Sequence, residues 1–190
     1  FRMDYSELRE RVKPYLEECR NGDYEHTLRV VSLMKLLLKT EKGNSEILMP
    51  AAYLHEIGYY KLIPKSERDN LKIKEMTKKY KEEHMLRGAK LAEQILTELN
   101  YPEIQKNQIV HLVSIHDKWD SITEHDEFMI ADADNLSKLD VNHIKEKYSR
   151  DDWHNVLDVF KNKLPKRLRT KTAKKLFKDK LLKLERDLIL

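Results

Sequence analysis

Cysteine, glycine, proline and long apolar runs are all scarce in this chain of 190 residues. The single cysteine, Cys19, excludes a disulfide within the chain and fits a protein kept in a reducing cytoplasm. No apolar run approaches the roughly 20 residues that a helix needs to span a bilayer, and the first residues show no signal-peptide pattern. We therefore expect a soluble, cytoplasmic protein without a membrane partner.

A strong excess of charge is also lacking. Lysine and arginine total 37 and aspartate and glutamate total 33, so the net charge is only +4. The most basic stretch, residues 161–180, has ten lysines and arginines against one aspartate. Its apolar residues keep regular helical spacing, and no aromatic pattern suggests base stacking. We interpret it as the solvated face of a packed helix and expect no nucleic-acid partner.

The scarcity of glycine and proline, with abundant leucine, lysine and glutamate, predicts an all-α fold. The length predicts one compact helical bundle. Apolar residues at three-four spacing, together with caps and breakers, give the boundaries. Helices are predicted over about 5–19 (bent or restarted at Pro14), 23–38 (capped by Asp23), 46–57, 81–99, 102–116, 128–136, 153–160 and 170–189. Residues 59–81 are predicted to be a long connection with one short helix, lying over the site as a lid.

The most informative stretch is residues 51–60, where His55 and Glu56 stand side by side at the end of an apolar run. Gly58 follows two residues later and suits a left-handed position just past the helix end. A histidine and a carboxylate in apolar surroundings are costly unless something pairs with them. A metal ion would be such a partner.

Further ligand types occur in other apolar helical segments. A lone histidine on an apolar face is more often a hydrogen-bonded core residue than a ligand, and spacing alone leaves both interpretations open. Imidazole with carboxylate suits zinc, iron, manganese or cobalt, and facing helices often build such sites. The candidate metal ligands are His26, His55, Glu56, His84, His116 and Asp134.

The order of these residues resembles the HD-domain superfamily of metal-dependent phosphohydrolases, which is named for an adjacent His-Asp pair. "EHTLRVV" is similar to the opening H-x-x-R-V, and "AAYLHEIGYY" to A-x-L-H-D-I-G. "EEHMLRGAKLAEQIL" resembles H-x-x-x-G-A, "IVHLVSIHDKWD" the segment ending in I-x-x-H, and "IADADNLSKLD" the D-A-D-x-L element. The resemblance implies one HD-like domain over 1–190, with a metal-site core at about 20–140 and C-terminal packing helices at about 150–190.

The resemblance also implies roles for particular residues. His26, His55, Glu56 and Asp134 would hold one divalent transition metal (manganese, iron, cobalt, zinc or nickel). His84 and His116 would hold a second ion, with Glu56 bridging. Lys118 and Arg29 are the candidate contacts to the substrate phosphate. The implied reaction is hydrolysis of a small phosphorylated metabolite, such as a nucleotide or a related phosphomonoester or diester, by metal-activated water.

The chain departs from the family pattern at Glu56, which stands where the aspartate is expected. The extra methylene moves the carboxylate by ~1 Å, a displacement that can cost roughly 100-fold in rate. Three alternatives follow: a working variant, a changed metal preference, or an impaired protein that binds metal and ligand as a sensor or scaffold. A di-iron oxygenase is a further alternative, because some HD-fold members use this ligand set for oxygen chemistry. The oligomeric state does not follow from the sequence.

Overall fold

The computed structural model describes residues 4–188, the side chains of 69 and 70 excepted. These residues form helices and connections with no strand, so the predicted all-α bundle is confirmed. Short 3-10 helices span Ile57–Tyr59 and Arg150–Asp152. The α-helices are α1 (Ser6–Glu17), α2 (Asp23–Leu37), α3 (Ser45–Leu54), α4 (Lys65–Asn70), α5 (Ile73–Glu98), α6 (Glu103–Ile115), α7 (His125–Ser137), α8 (Val141–Lys147), α9 (Trp153–Arg167) and α10 (Lys171–Leu188).

The centre of the bundle is built from α2, α3 and α7. Helix α2 packs against both α3 and α7, and α3 also packs against α6. In α3 every residue from Ile47 to Leu54 is buried, and α7 is buried from Met129 to Ser137. Helices that are buried on nearly all sides belong in the middle of a domain. Polar side chains within these two buried stretches therefore face protein rather than water.

Two of the differences between predicted and observed helix ends lie next to the candidate ligands. Asp23 does not cap α2, because Gly22 takes the cap position with a left-handed φ of 76° and Asp23 is the first helical residue. The Asp23 carboxylate is instead buried between Arg20 and Lys147. Helix α3 ends at Leu54, so His55 and Glu56 lie just after the helix rather than in it.

The long connection predicted over residues 59–81 is wrong in extent. It holds α4, and α5 already begins at Ile73, so no lid of that length exists. Between Ile73 and Lys81 only Met76 and Tyr80 are buried, which is why no apolar stripe marked this part of the helix. Helix α1 runs through Pro14 without the predicted bend or restart. Helix α8 was not predicted. The predicted end of the last helix, Ile189, lies outside the described residues.

Asp132 on α7 connects the start of the C-terminal helix α10 to the centre of the bundle through hydrogen bonds. Its carboxylate accepts hydrogen bonds from the backbone N–H groups of Arg169 (2.9 Å) and Thr170 (2.7 Å) and from Thr170 Oγ1 (2.8 Å). Burial raises the pKa of Asp132, although these hydrogen bonds oppose the shift. Asp132 thus joins α10 to α7, two residues before the candidate ligand Asp134.

No described helix is both long and apolar enough to cross a membrane.

Candidate metal centre

All six candidate ligands are buried, and the fold brings them together in two clusters that share Glu56. The larger cluster holds His26, His55, Glu56 and Asp134, and the smaller holds Glu56, His84 and His116. Within each cluster, one ligand atom from every residue lies within 4.8 Å of the others. Helices α2, α5 and α7 and the C-terminal ends of α3 and α6 supply them.

The histidines face one another in pairs through their Nε2 atoms. The Nε2 atoms of His26 and His55 are 3.2 Å apart, and those of His84 and His116 are 3.3 Å apart. The Nδ1 atoms lie beside backbone carbonyl oxygens of Ala52 (His55, 2.9 Å), Tyr80 (His84, 3.2 Å) and Val113 (His116, 2.8 Å). A carbonyl can only accept, so each Nδ1 carries the proton and each Nε2 presents its lone pair to the centre.

Ser137 fixes His26 in the same way. Its hydroxyl donates to the backbone carbonyl of Asp134 (2.7 Å) and therefore accepts from Nδ1 of His26, 3.1 Å away. Two lone pairs facing each other at this distance repel unless a cation lies between them. This arrangement is what a pair of metal-ligating imidazoles requires.

The carboxylates leave oxygens free for the same purpose. Oδ2 of Asp134 accepts from Lys138 Nζ (2.8 Å), whereas Oδ1 is buried without a hydrogen bond, 3.2 Å from His26 Nε2. Oε1 of Glu56 lies 3.7 Å from His26 Nε2. Oε2 lies 4.0 Å from His84 Nε2 and forms an ion pair with Arg20 Nη2 (3.1 Å) that lacks hydrogen-bond geometry. A buried oxygen such as Oδ1 of Asp134 normally has a hydrogen-bond partner. A divalent cation fits this donor set.

The protonation states suit metal binding as well. Burial lowers the pKa of His55 and of His84 to about 4, so both rings are neutral at pH 7. Burial alone would raise the pKa of Glu56, but Arg20 and the neighbouring histidines hold it well below its usual range. The Lys138 ammonium likewise lowers the pKa of Asp134 well below its usual range, although burial opposes the shift. Neutral imidazoles with ionised carboxylates are the forms that bind metals.

Gly58 allows the two clusters to approach each other. A Cβ at residue 58 would lie 1.7 Å from the carbonyl oxygen of His84 and 2.6 Å from the backbone nitrogen of Gly88. Its φ is not positive, so the expected left-handed conformation is wrong and close packing is the reason for glycine. The contact places Glu56 beside α5, which carries His84.

Several residues at the centre were not predicted. Arg20 Nη2 lies 3.1 Å from Glu56 Oε2, and the same side chain pairs with Asp23, which also pairs with Lys147 Nζ at 2.6 Å. Ser137 and Lys138 were missed too. Ser137 and Lys138 directly follow the D-A-D-x-L element but are not among its named positions, and Arg20 and Lys147 belong to no motif. A charged residue near a helix end is usually solvated, so the sequence did not set these residues apart.

The two predicted phosphate contacts, Arg29 and Lys118, pair with carboxylates outside the two clusters. Arg29 Nη2 pairs with Glu146 Oε2 (3.0 Å) and lies 3.5 Å from Nδ1 of His143. Lys118 Nζ is 3.4 Å from Glu82 Oε2, with both side chains exposed. His143, which belongs to none of the motif elements, is buried, with its ring centroid 5.5 Å from that of His26.

Comparisons with known families agree with this geometry. A model of the HD domain family matches residues 23–139, a span that is more than half of the chain and holds every candidate ligand. Comparisons with curated proteins and with solved structures gave no significant match.

Proposed function

The chain belongs to the HD-domain family, and on that premise we propose that it is a metal-dependent phosphohydrolase. Its substrate would be a small phosphorylated metabolite, a nucleotide or a related phosphomonoester or diester. The observation that supports this best is the pair of clusters sharing Glu56, in which ring nitrogens face each other and Oδ1 of Asp134 is buried without a hydrogen bond. The donor set accepts divalent transition metals.

His26, His55, Glu56 and Asp134 would hold one ion, and His84, His116 and Glu56 a second. Such an ion supplies a bound water of pKa near ~7 and neutralises charge on a phosphoryl group. The protein's own contribution is to keep the rings in one tautomer and the donors buried, so that nothing needs to rearrange when charge develops. Glu56 is the group shared by both clusters, and this makes it the central catalytic residue of the proposal.

The substrate phosphate would be held by cations at the edge of the centre. Lys118 lies two residues after His116, and its exposed pair with Glu82 is of a kind that contributes little, so a phosphate group can replace it. Arg29 is also in our proposal, although it would have to exchange or share its contact with Glu146. The cytoplasmic location expected from the sequence stays a prediction.

A second candidate is an HD-fold protein that binds metal and ligand without turnover. Glu56 favours it, because this longer side chain replaces the usual aspartate and its Oε2 lies beside Arg20. In that case the protein would act as a sensor or scaffold. The two candidates share the metal centre and differ in turnover.

The experiment is a reconstituted activity screen. Chelator-treated protein is reloaded with manganese, iron, cobalt, zinc or nickel, and release of phosphate or nucleoside is measured from p-nitrophenyl phosphate, bis-p-nitrophenyl phosphate and a nucleotide panel. We expect metal-dependent release that the His55→Ala, Asp134→Ala double variant loses. Metal uptake without release from any substrate would favour the sensor, and oxygen consumption by iron-loaded protein without phosphate release would identify an oxygenase.

A further inference from the structure

Arg20 lies beside one particular oxygen of the shared carboxylate. Its Nη2 is 3.1 Å from Oε2 of Glu56, and this is the oxygen that faces His84 in the smaller cluster. The other oxygen, Oε1, faces His26 in the larger cluster. The positive charge of the guanidinium therefore affects the two clusters unequally.

The position of Arg20 is fixed from several sides. Nε and Nη2 donate to the two oxygens of Asp23 (3.0 and 3.2 Å), and Nη1 donates to Thr77 Oγ1 (3.0 Å). The guanidinium carbon lies 3.6 Å from the ring centroid of Tyr59, and that ring stacks on His84 with centroids 4.2 Å apart. With its nitrogens engaged and its face covered, the side chain cannot swing away when a cation approaches.

A fixed positive charge at this place opposes a second positive charge. Arginine stays protonated at any working pH, and charges a few ångströms apart interact strongly in a buried site. The smaller cluster has only Glu56 as a carboxylate, and Arg20 already offsets that charge on the Oε2 side. The larger cluster adds a second carboxylate, Asp134, which pairs with Lys138 through Oδ2 and keeps Oδ1 without a hydrogen-bond partner.

We infer that Arg20 makes the two clusters unequal, so that the protein holds one divalent ion tightly at His26, His55, Glu56 and Asp134 and a second only weakly at His84 and His116. Arg20 is a positioning and charge-balancing residue in this account, acting through Glu56. The inference rests on the proposed metal centre but not on turnover.

Calorimetric titration of metal-free protein with cobalt(II), with the d–d absorption spectrum recorded in parallel, tests it. Wild type is expected to bind one ion tightly and a second at least about tenfold more weakly. Arg20→Gln is expected to tighten the second step by about tenfold or more, and Arg20→Lys, which keeps the charge, is expected to behave like wild type. Two equally tight sites in wild type, or an unchanged second step in Arg20→Gln, would overturn the inference.

Arg87→Gln is the matched control, because it removes a half-buried cation on α5 that donates to the backbone carbonyl of Tyr60 (3.0 Å) rather than pairing with Glu56. Thermal unfolding shows whether Arg20→Gln folds, and Asp23 keeps Lys147 as a partner in that variant. If Arg20→Gln does not fold, His84→Gln is titrated in its place. In His84→Gln the tight binding of the first cobalt ion should persist and the weak binding of the second should vanish. Loss of the tight binding would overturn the inference. Failure of wild type to bind any cobalt would instead refute the proposed metal centre itself.

Discussion

Gly58 and His84 meet backbone to backbone, because a Cβ at residue 58 would lie 1.7 Å from the His84 carbonyl oxygen. The 3-10 turn Ile57–Tyr59 packs on α5 through this contact, and it starts directly after Glu56. The lack of a side chain at Gly58 thus helps to bring the Glu56 carboxylate close to His84.

Gly58→Ala should therefore separate these elements. We expect a loss of about 1–3 kcal/mol in the free energy of unfolding, since the clash is with backbone that cannot rotate away. Urea denaturation of metal-free protein measures it. Gly43→Ala is the control, because its new methyl group would meet the movable side-chain ends of Leu48 and Met129 and should cost less. An equal loss in both variants would contradict the account.

Sequence patterns identified the candidate metal ligands but not the residues that position those ligands. His26, His84 and Asp134 lie on helices with clear apolar spacing, and their motifs identified them. Arg20 and Ser137 have no such mark, because what places them at the centre is the packing of α1 against α2 and of α2 against α7. Contacts between elements distant in sequence are set by the whole bundle and leave no local pattern. The part of α5 from Ile73 to Tyr80 was also missed, because these exposed first turns carry little apolar pattern.

Ser137→Ala should weaken metal binding without unfolding the protein. The variant leaves Nδ1 of His26 without its acceptor, so the ring is no longer held in the ligating tautomer. Loss of such a partner typically costs about 10–100-fold in metal affinity. Titration with cobalt(II) measures the affinity, and Ser114→Ala, which removes an exposed hydroxyl, should match wild type. Wild-type affinity in Ser137→Ala would exclude this role.

Glu56→Asp should lower activity rather than restore it. The shorter side chain withdraws the carboxylate from Arg20 and from the histidines by ~1 Å, and misplacement of that size can cost roughly 100-fold in rate. Steady-state hydrolysis of whichever substrate the screen identifies checks this, with metal content measured alongside. An inactive wild type that becomes active with aspartate would show that Glu56 is an impairment and support the sensor.

Glu41 should stabilise the start of α10 in a pH-dependent way. Its Oε1 accepts from the backbone N–H of Thr172 (2.9 Å), and this hydrogen bond lowers the pKa of Glu41 below the ordinary 4.5. A carboxyl with a lowered folded pKa stabilises above its unfolded pKa, and that stability is lost as the pH falls through the folded pKa. Glu41→Ala should thus cost about 0.5–2 kcal/mol at pH 7 and progressively less below pH ~4.5.

Denaturation of wild type and Glu41→Ala between pH 3 and 7, with the exposed Glu93→Ala as control, measures this difference. A difference that stays constant with pH would show that the carboxylate charge has no part in the cap.

The most direct test of the metal centre is the metal content of protein purified without added chelator, compared with the His55→Ala, Asp134→Ala double variant. The account predicts about one transition-metal ion per chain in wild type and essentially none in the variant, because both changes remove ligands of the larger cluster. A wild type that is metal-free and also fails to take up manganese, cobalt, iron or zinc would contradict it, and the buried histidines would then be packing residues.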